Sequence, residues 1–444
     1  MAFNNCLFIL FFLLPVLIGY HIAARISNRA GLMVLLAAST VFYSRQGWQG
    51  TVFLSIAILV NYTAGLLIER LRDRQRIQGR VFLGAILMNI GMLAMLKWLP
   101  EPGNPYFGQG GFSFIAMPLG FSFFCFAQIG YLVDLKNGVT ATVSLPEQAL
   151  FGAWFPHVTS GPILRHKEFV SQLPGLRGLR SEDLALGLTY FAAGLFKKAL
   201  ADKMSVSADS FYAHTGGVPV GAAWVGVLSY GLQLFLDFSG YSDMAIGIAR
   251  MFSVRYPFNF DAPYQALSII DFWQRWHMSL TRFIMVYIYT PLSTHMARLE
   301  MNRGRGSYKK IIQTFSGFCK VVALPMMITM TLAGVWHGYG ITFLVFGAVH
   351  GVFLTINNFW RTSWKQRVLA MAEWSEPVKV ISKIGASVLV LGCVMVGQVF
   401  FRADSLAQAA TVFRNLLAIS RGSTPIEGNF KIVLLVGAIL LIGS

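Results

Sequence analysis

The chain has 444 residues, 55% of them hydrophobic and 12% charged, about half the charged share of an ordinary soluble domain. That excludes a string of soluble domains and describes one polytopic membrane domain over residues 1–444. The formal charge is +17, but the basic residues lie in short stretches between apolar runs, which sets nucleic-acid binding aside in favour of membrane-flanking loops.

Apolar runs recur at 5–20, 31–43, 50–68, 81–99, 112–133, 147–163, 183–200, 218–236, 241–253, 266–292, 316–337, 341–360, 379–401 and 431–443. A span needs about 20 apolar residues, so the shorter runs read as re-entrant, surface-lying or half-length helices, leaving about 11 spans. The fold class is all-α.

The first run lacks the basic start and small-residue cleavage site of a signal peptide and reads as a retained helix. Arg25 and Arg29 follow it. By the positive-inside rule its far end is expected in the cytoplasm and the N-terminus outside. Residues 69–80 (ERLRDRQRIQGR) and 298–310 (RLEMNRGRGSYKK) have the composition of cytoplasmic loops. Residues 100–111 carry no Lys or Arg and are expected outside.

Cys6, Cys125, Cys319 and Cys393 stand in or beside apolar segments without CxxC or zinc spacing. They read as packing residues, and no metal is expected. Residues 155–169 (FPHVTSGPILRHKEF) mix Pro and Gly with two histidines, so helix should break there. Residues 253–278 are aromatic, amphipathic and charged. They fit a helix lying near the membrane interface.

Gln233, Asp237, Gly240 and Tyr241 fall at helical spacings of three, four and seven, which gives that helix a polar face. Asp237 and Asp243 are carboxylates in apolar sequence. Each could orient a histidine or a substrate hydroxyl, or pair with Lys197, Lys198 or Arg250 to hold helices together. Ser239 lies in the same stretch. Ser160 and Ser242 lack a flanking base or a nucleophile elbow, so a covalent serine mechanism has no support.

Residues 321–360 carry no Asp, Glu, Lys or Arg, and Trp336-His337-Gly338 sits within them. Ionisable groups at membrane depth are expensive and face a bundle interior or a wet cavity. Histidine exchanges protons near neutrality. Gly334, Gly338 and Gly340 surround His337, so a buried helix should break there. A second pair, Trp276-His277, follows Gln274 and Arg275, which places His277 closer to water. Each histidine could be a base or a plain interhelical hydrogen-bonding group. His350, His21, His214 and His295 read as packing histidines.

Several of these segments resemble the membrane-bound O-acyltransferase family, and most closely its bacterial alginate O-acetylation branch. They include residues 3–20, 35–48, 117–138 (MPLGFSFFCFAQIGYLVDLKNG), 155–169 and 194–203. The most specific are LDFSGYSDMAIGIARMF at 236–252, FNFDAPYQALSIIDFWQRWHMSL at 258–280 and AGVWHG at 333–338. The resemblance implies tilted helices around a tunnel that crosses the membrane. It implies an acyl thioester donor, acetyl-CoA above all, on the cytoplasmic side and a hydroxyl acceptor outside. The family's buried histidine falls on His337 and its second motif residue, Asn or His, on His277. Trp336, Trp276, Arg275, Gln274, Asp237, Ser239, Tyr241 and Asp243 are then expected to line or support the site. Where that branch continues with Trp and then Arg-Asp-Tyr, this chain has Phe283 and Met285-Val286 before Tyr287, so acceptor choice or partner docking is expected to differ.

The resulting expectation is a bacterial inner-membrane enzyme moving an acetyl group to an exported polysaccharide or to a periplasmic acetyltransferase partner, with membrane lipid around it. D-alanyl transfer to teichoic acid is the alternative within the class, and an envelope-precursor transporter the alternative outside it. No second copy of the Trp-His-Gly break appears in a matching half, as an inverted-repeat transporter would have it. Residues 432–443 are too short to span, which fits a fragment of a longer protein or a half-buried last helix.

Overall fold

The computed structural model describes residues 3–45, 47–98, 120–158, 161–176, 178, 180–363, 375–417, 433 and 435–437. The expected outer loop at 100–111, Ser160 and most of the apolar stretch 432–443 lie outside them. The described residues form helices and connecting turns, with no strand among them. Among the described residues, eight helices are long and apolar enough to cross a membrane: Cys6–Ile26, Trp48–Arg70, Gln75–Met95, Ser181–Ala213, Val220–Met251, Phe315–His337, Ile341–Thr362 and Glu376–Arg402. The difference from the expected eleven has identifiable sources. Part of the run at 112–133 and most of the run at 431–443 lie outside the described residues. The runs 218–236 and 241–253 join into the single Val220–Met251 helix. The Asn28–Ser44 and Leu145–Ala153 helices are short.

The outward face of the first helix shows why a membrane is needed. Leu7, Phe11, Leu14, Ile18 and Ile22 are all exposed, at successive spacings of four, three, four and four. They form an apolar stripe on one side of the helix. Phe8, Phe12 and Tyr20 are buried on the other side. In water such a stripe would be an association surface, whereas in a bilayer it meets lipid tails.

The chain falls into two compact units, residues 1–196 with 240–258, and residues 197–239 with 259–444. In the first unit the Ser181–Ala213 and Val220–Met251 helices cross through small residues. A methyl group on Gly187 would lie 2.7 Å from the Gly247 carbonyl oxygen, and one on Gly194 2.5 Å from that of Gly240. Small residues let backbones approach closely, which is how helices gain contact where lipid removes the hydrophobic drive. Beside this crossing Arg250 pairs with Asp183 at 2.9 Å.

The segment 155–169 breaks as its Pro and Gly content indicated. A short Phe155–Val158 helix stands before the irregular residues 161–165, which lead into the His166–Val170 helix. Its buried polar groups are paired. Arg165 grips Asp134 with contacts of 2.9–3.2 Å. His166 lies 2.8 Å from Thr140 Oγ1 and 3.0 Å from Gln148 Oε1.

In the second unit the loop after the Thr290–Asn302 helix is organised by one buried carboxylate. Glu300 binds Arg303 at 2.6 Å, Arg305 at 2.5 Å and Lys320 at 3.5 Å.

The stretch 253–278 corrects the expectation of one interfacial helix. Pro257 and Pro263 remove backbone donors, and Ala262 adopts a left-handed conformation with φ +41°. Pro residues and a left-handed residue end regular helix. The stretch runs irregularly into a 3₁₀ turn at Pro263–Gln265 and a two-turn helix at Ile269–Arg275.

Candidate active site

The Leu324–His337 helix ends on its histidine, and a new helix starts at Ile341. The break expected around His337 is therefore present, and its glycines have separate roles. Gly334 and Gly347 allow the two helices to cross in contact. Gly338 lies under the ring of Phe343, where a methyl group would collide. His337 is half-buried. Trp336 lies 4.6 Å from it between ring centres, Phe401 5.0 Å and Phe346 6.1 Å.

His277 belongs to the same unit. It stands between the Ile269–Arg275 and Met278–Ile284 helices with φ +43°. Left-handed backbone is uncommon for a residue with a side chain, although His is among the types enriched there. The expectation that Arg275 and Gln274 keep His277 near water does not hold. Its side chain is 2% exposed, because the turn directs it inward while Gln274 stays exposed. Arg275 is engaged by Asp271 at 2.7 Å. Trp276 is also buried, stacked on Phe272 at 5.5 Å and met edge-on by Phe260 at 5.1 Å.

Nδ1 of His277 lies 3.1 Å from Oδ1 of Asn259. The edge of the imidazole meets Phe238 at 4.6 Å and 85°. Nε2 is buried without a hydrogen-bond partner in the protein. Burial, and then the neighbouring charge site of His337, hold the imidazole well below the ordinary histidine range. That environment favours the neutral imidazole, the form a base needs. Asn259 was not singled out from sequence. The signal available was the turn-forming pattern Asn-Phe-Asp-Ala-Pro at 259–263.

The other expected site residues divide. Asp237 is bound to Lys198 at 2.6 Å, and Lys198 also holds Asp202 at 2.9 Å. This is the helix-tying ion pair that the sequence offered as one reading. Ser239 is fully buried, and its hydroxyl has no partner in the protein. Tyr241 and Asp243 fall in the first unit, where Tyr241 stacks on Phe3 at 4.8 Å. His350 is a packing histidine as expected, tied down by Trp273, whose indole N–H donates to Nδ1 at 3.3 Å.

What remains is two imidazoles from two separate breaks in one unit, His277 against Phe238 and His337 against Trp336, Phe346 and Phe401. One of them presents an open basic nitrogen. Such groups can take a proton from a weak acid and return it.

Residues 121–303 match the membrane-bound O-acyltransferase family. A probable alginate O-acetylase of Pseudomonas aeruginosa is 33% identical, the match covering 94% of this chain and 75% of the relative. A peptidoglycan O-acetyltransferase of Helicobacter pylori is 30% identical over 95% of this chain and 80% of the relative. A teichoic acid D-alanyltransferase of Streptococcus thermophilus is 29% identical over 54% of this chain and 57% of its own.

Proposed function

From the premise that this chain belongs to the membrane-bound O-acyltransferase family, we propose that it moves an acetyl group from a cytoplasmic thioester to hydroxyls of an exported cell-surface polysaccharide or of a periplasmic acetyltransferase partner. The chain is a multi-pass membrane O-acyltransferase. The finer reading makes acetyl-CoA the donor and a bacterial inner membrane, with the N-terminus outside, its place. It also treats the whole chain as one working membrane domain.

One observation supports the reading above the rest. His337 and His277 stand at two helix breaks within one unit, and His277 Nε2 is buried with no protein partner. A buried polar atom left in that state is costly unless a ligand satisfies it. In the reaction proposed, His337 takes the proton of the acceptor hydroxyl as its oxygen bonds to the thioester carbonyl carbon. The carbon–sulfur bond then breaks, and the imidazolium returns the proton to the departing thiolate. His277 holds the hydroxyl or its proton through Nε2. The aromatic walls limit water, which protects the thioester from hydrolysis. Trp336, Trp276 and Ser239 support these groups, and we place Arg275, Gln274, Asp237, Tyr241 and Asp243 further from the chemistry.

Acetylation is favoured over D-alanylation by the extent of likeness, 94% of the chain at 33% identity for the alginate-type relative against 54% and 68% of the chain at 29% and 26% identity for two D-alanyl-type relatives. The test is the identity of the base-labile acyl group on cell-surface polymer from cells with and without this protein. Acetate that depends on the protein is the expected result. Protein-dependent D-alanine would overturn the acetyl assignment, and no protein-dependent acyl group would favour transport.

A further inference from the structure

The neighbourhood of His277 fixes which of its two nitrogens carries the proton. Oδ1 of Asn259 receives the backbone N–H of Ser279 at 3.1 Å and the Ser279 hydroxyl at 2.9 Å. A backbone N–H only donates, so the amide atom it meets is the oxygen and not the nitrogen. The same oxygen lies 3.1 Å from His277 Nδ1. Two acceptors cannot share a hydrogen bond, so Nδ1 carries the hydrogen. In a neutral imidazole the lone pair is then on Nε2, the atom that is buried without a protein partner.

Asn259 also holds the backbone. Its own carbonyl accepts the Met278 N–H at 2.9 Å, immediately after the left-handed His277. Asn259, His277 and Ser279 are 1%, 2% and 3% exposed. A strained residue persists only where its surroundings over-determine it, and such places cluster at functional sites. Here both the side chain and the main chain of one asparagine do so.

We propose that Asn259 is a positioning residue for acyl transfer, locking His277 in the Nδ1–H tautomer so that Nε2 is a ready acceptor for the substrate hydroxyl. The inference rests on the acyl-transfer reading and deepens it. It assigns a neutral amide the orienting task that a carboxylate performs in serine hydrolases. The neutral partner has a chemical consequence. A carboxylate at this place would stabilise imidazolium, whereas an amide leaves the ring weakly basic beside His337. Arg275, the nearest cation in sequence, is occupied by Asp271 and donates to the Asp261 carbonyl at 3.4 Å.

The test compares wild type, Asn259→Ala and Asn259→Asp in membrane vesicles at matched abundance, with radiolabelled acetyl-CoA as donor and the host's surface polymer as acceptor. Asn259→Ala frees the tautomer and should lower kcat by about 10²-fold, the size of a lost acid–base contribution, with little change in KM. Asn259→Asp keeps an acceptor for both Nδ1–H and Ser279, so it should recover part of kcat. It should also move the acid limb of the pH profile up by about one unit, since a carboxylate favours the charged imidazole. A role confined to folding predicts lower abundance with an unmoved pH profile and normal kcat per molecule, and that result would overturn the inference. Loss of transfer in wild type itself, or full transfer in His337→Ala, would instead overturn the reading on which the inference stands.

Discussion

Gly334 and Gly347 meet where the helices before and after His337 cross, and the nearest atoms to a methyl group on either would be backbone of the opposing helix. The position of His337 therefore depends on two missing side chains, one a turn before it and the other about two turns into the next helix. Gly334→Ala should force the helices apart, at about 1–3 kcal/mol for overpacking, and lower transfer at least tenfold per molecule. Gly392→Ala, where a methyl group meets nothing within 4 Å, should leave both stability and transfer unchanged. Thermal inactivation in detergent, read beside transfer, checks the pair. Equal behaviour of the two variants would contradict the close-crossing account.

His277 offers a sharper contrast. His277→Ala removes the open acceptor and should reduce transfer by about 10²-fold or more. His277→Asn retains a neutral amide oxygen and should keep a measurable fraction of activity. Initial rates at matched membrane abundance decide it. Wild-type rates in His277→Ala would remove the residue from the chemistry.

Asp237 was a candidate orienting carboxylate, and its contact with Lys198 makes a different prediction. The Asp237 side chain is 50% exposed, and ion pairs at that exposure are worth about 0–1 kcal/mol. Asp237→Asn should therefore change transfer by less than about threefold and stability within that range. A loss of 10²-fold with stability intact would return Asp237 to the catalytic group.

The first unit should lose stability in acid. Burial holds His157 and His166 down to about 4, against about 6.5 in the unfolded chain. The unfolded state then binds protons that the native state refuses between those values. Stability is complete above about pH 6.5, falls as the pH is lowered toward 4 and levels off below it. Each histidine contributes on the order of 1–3 kcal/mol to that fall. Melting in detergent at pH 7 and pH 5 measures it. His166→Gln keeps polar contacts toward Thr140 and Gln148 and should flatten the difference. An unchanged pH dependence in that variant would contradict the assignment.

The membrane class, the break at His337 and the irregular residues 161–165 were legible because each rests on local chemistry. Long uncharged runs, clustered glycines and Pro-Gly density act where they stand. Burial of His277 was not legible, because its flanking Gln274 and Arg275 are polar and the left-handed turn that directs the ring inward leaves no periodicity. Asn259 was missed for a related reason. It reaches His277 across 18 residues of chain that contain a 3₁₀ turn and a short helix, and no helical or strand period connects them. At Asp237 the helical spacing left two readings open, an orienting carboxylate or an ion pair, and only the structure shows Lys198 beside it.

The central claim is that His337 is the base of an acyl transfer. The most direct measurement expresses wild type and His337→Ala in a host lacking its own copy and quantifies base-labile acyl groups on the cell-surface polymer. The account predicts acetate on the wild-type polymer and none above background in the variant, at equal membrane abundance and unchanged melting. Acetate at wild-type levels in His337→Ala would contradict it.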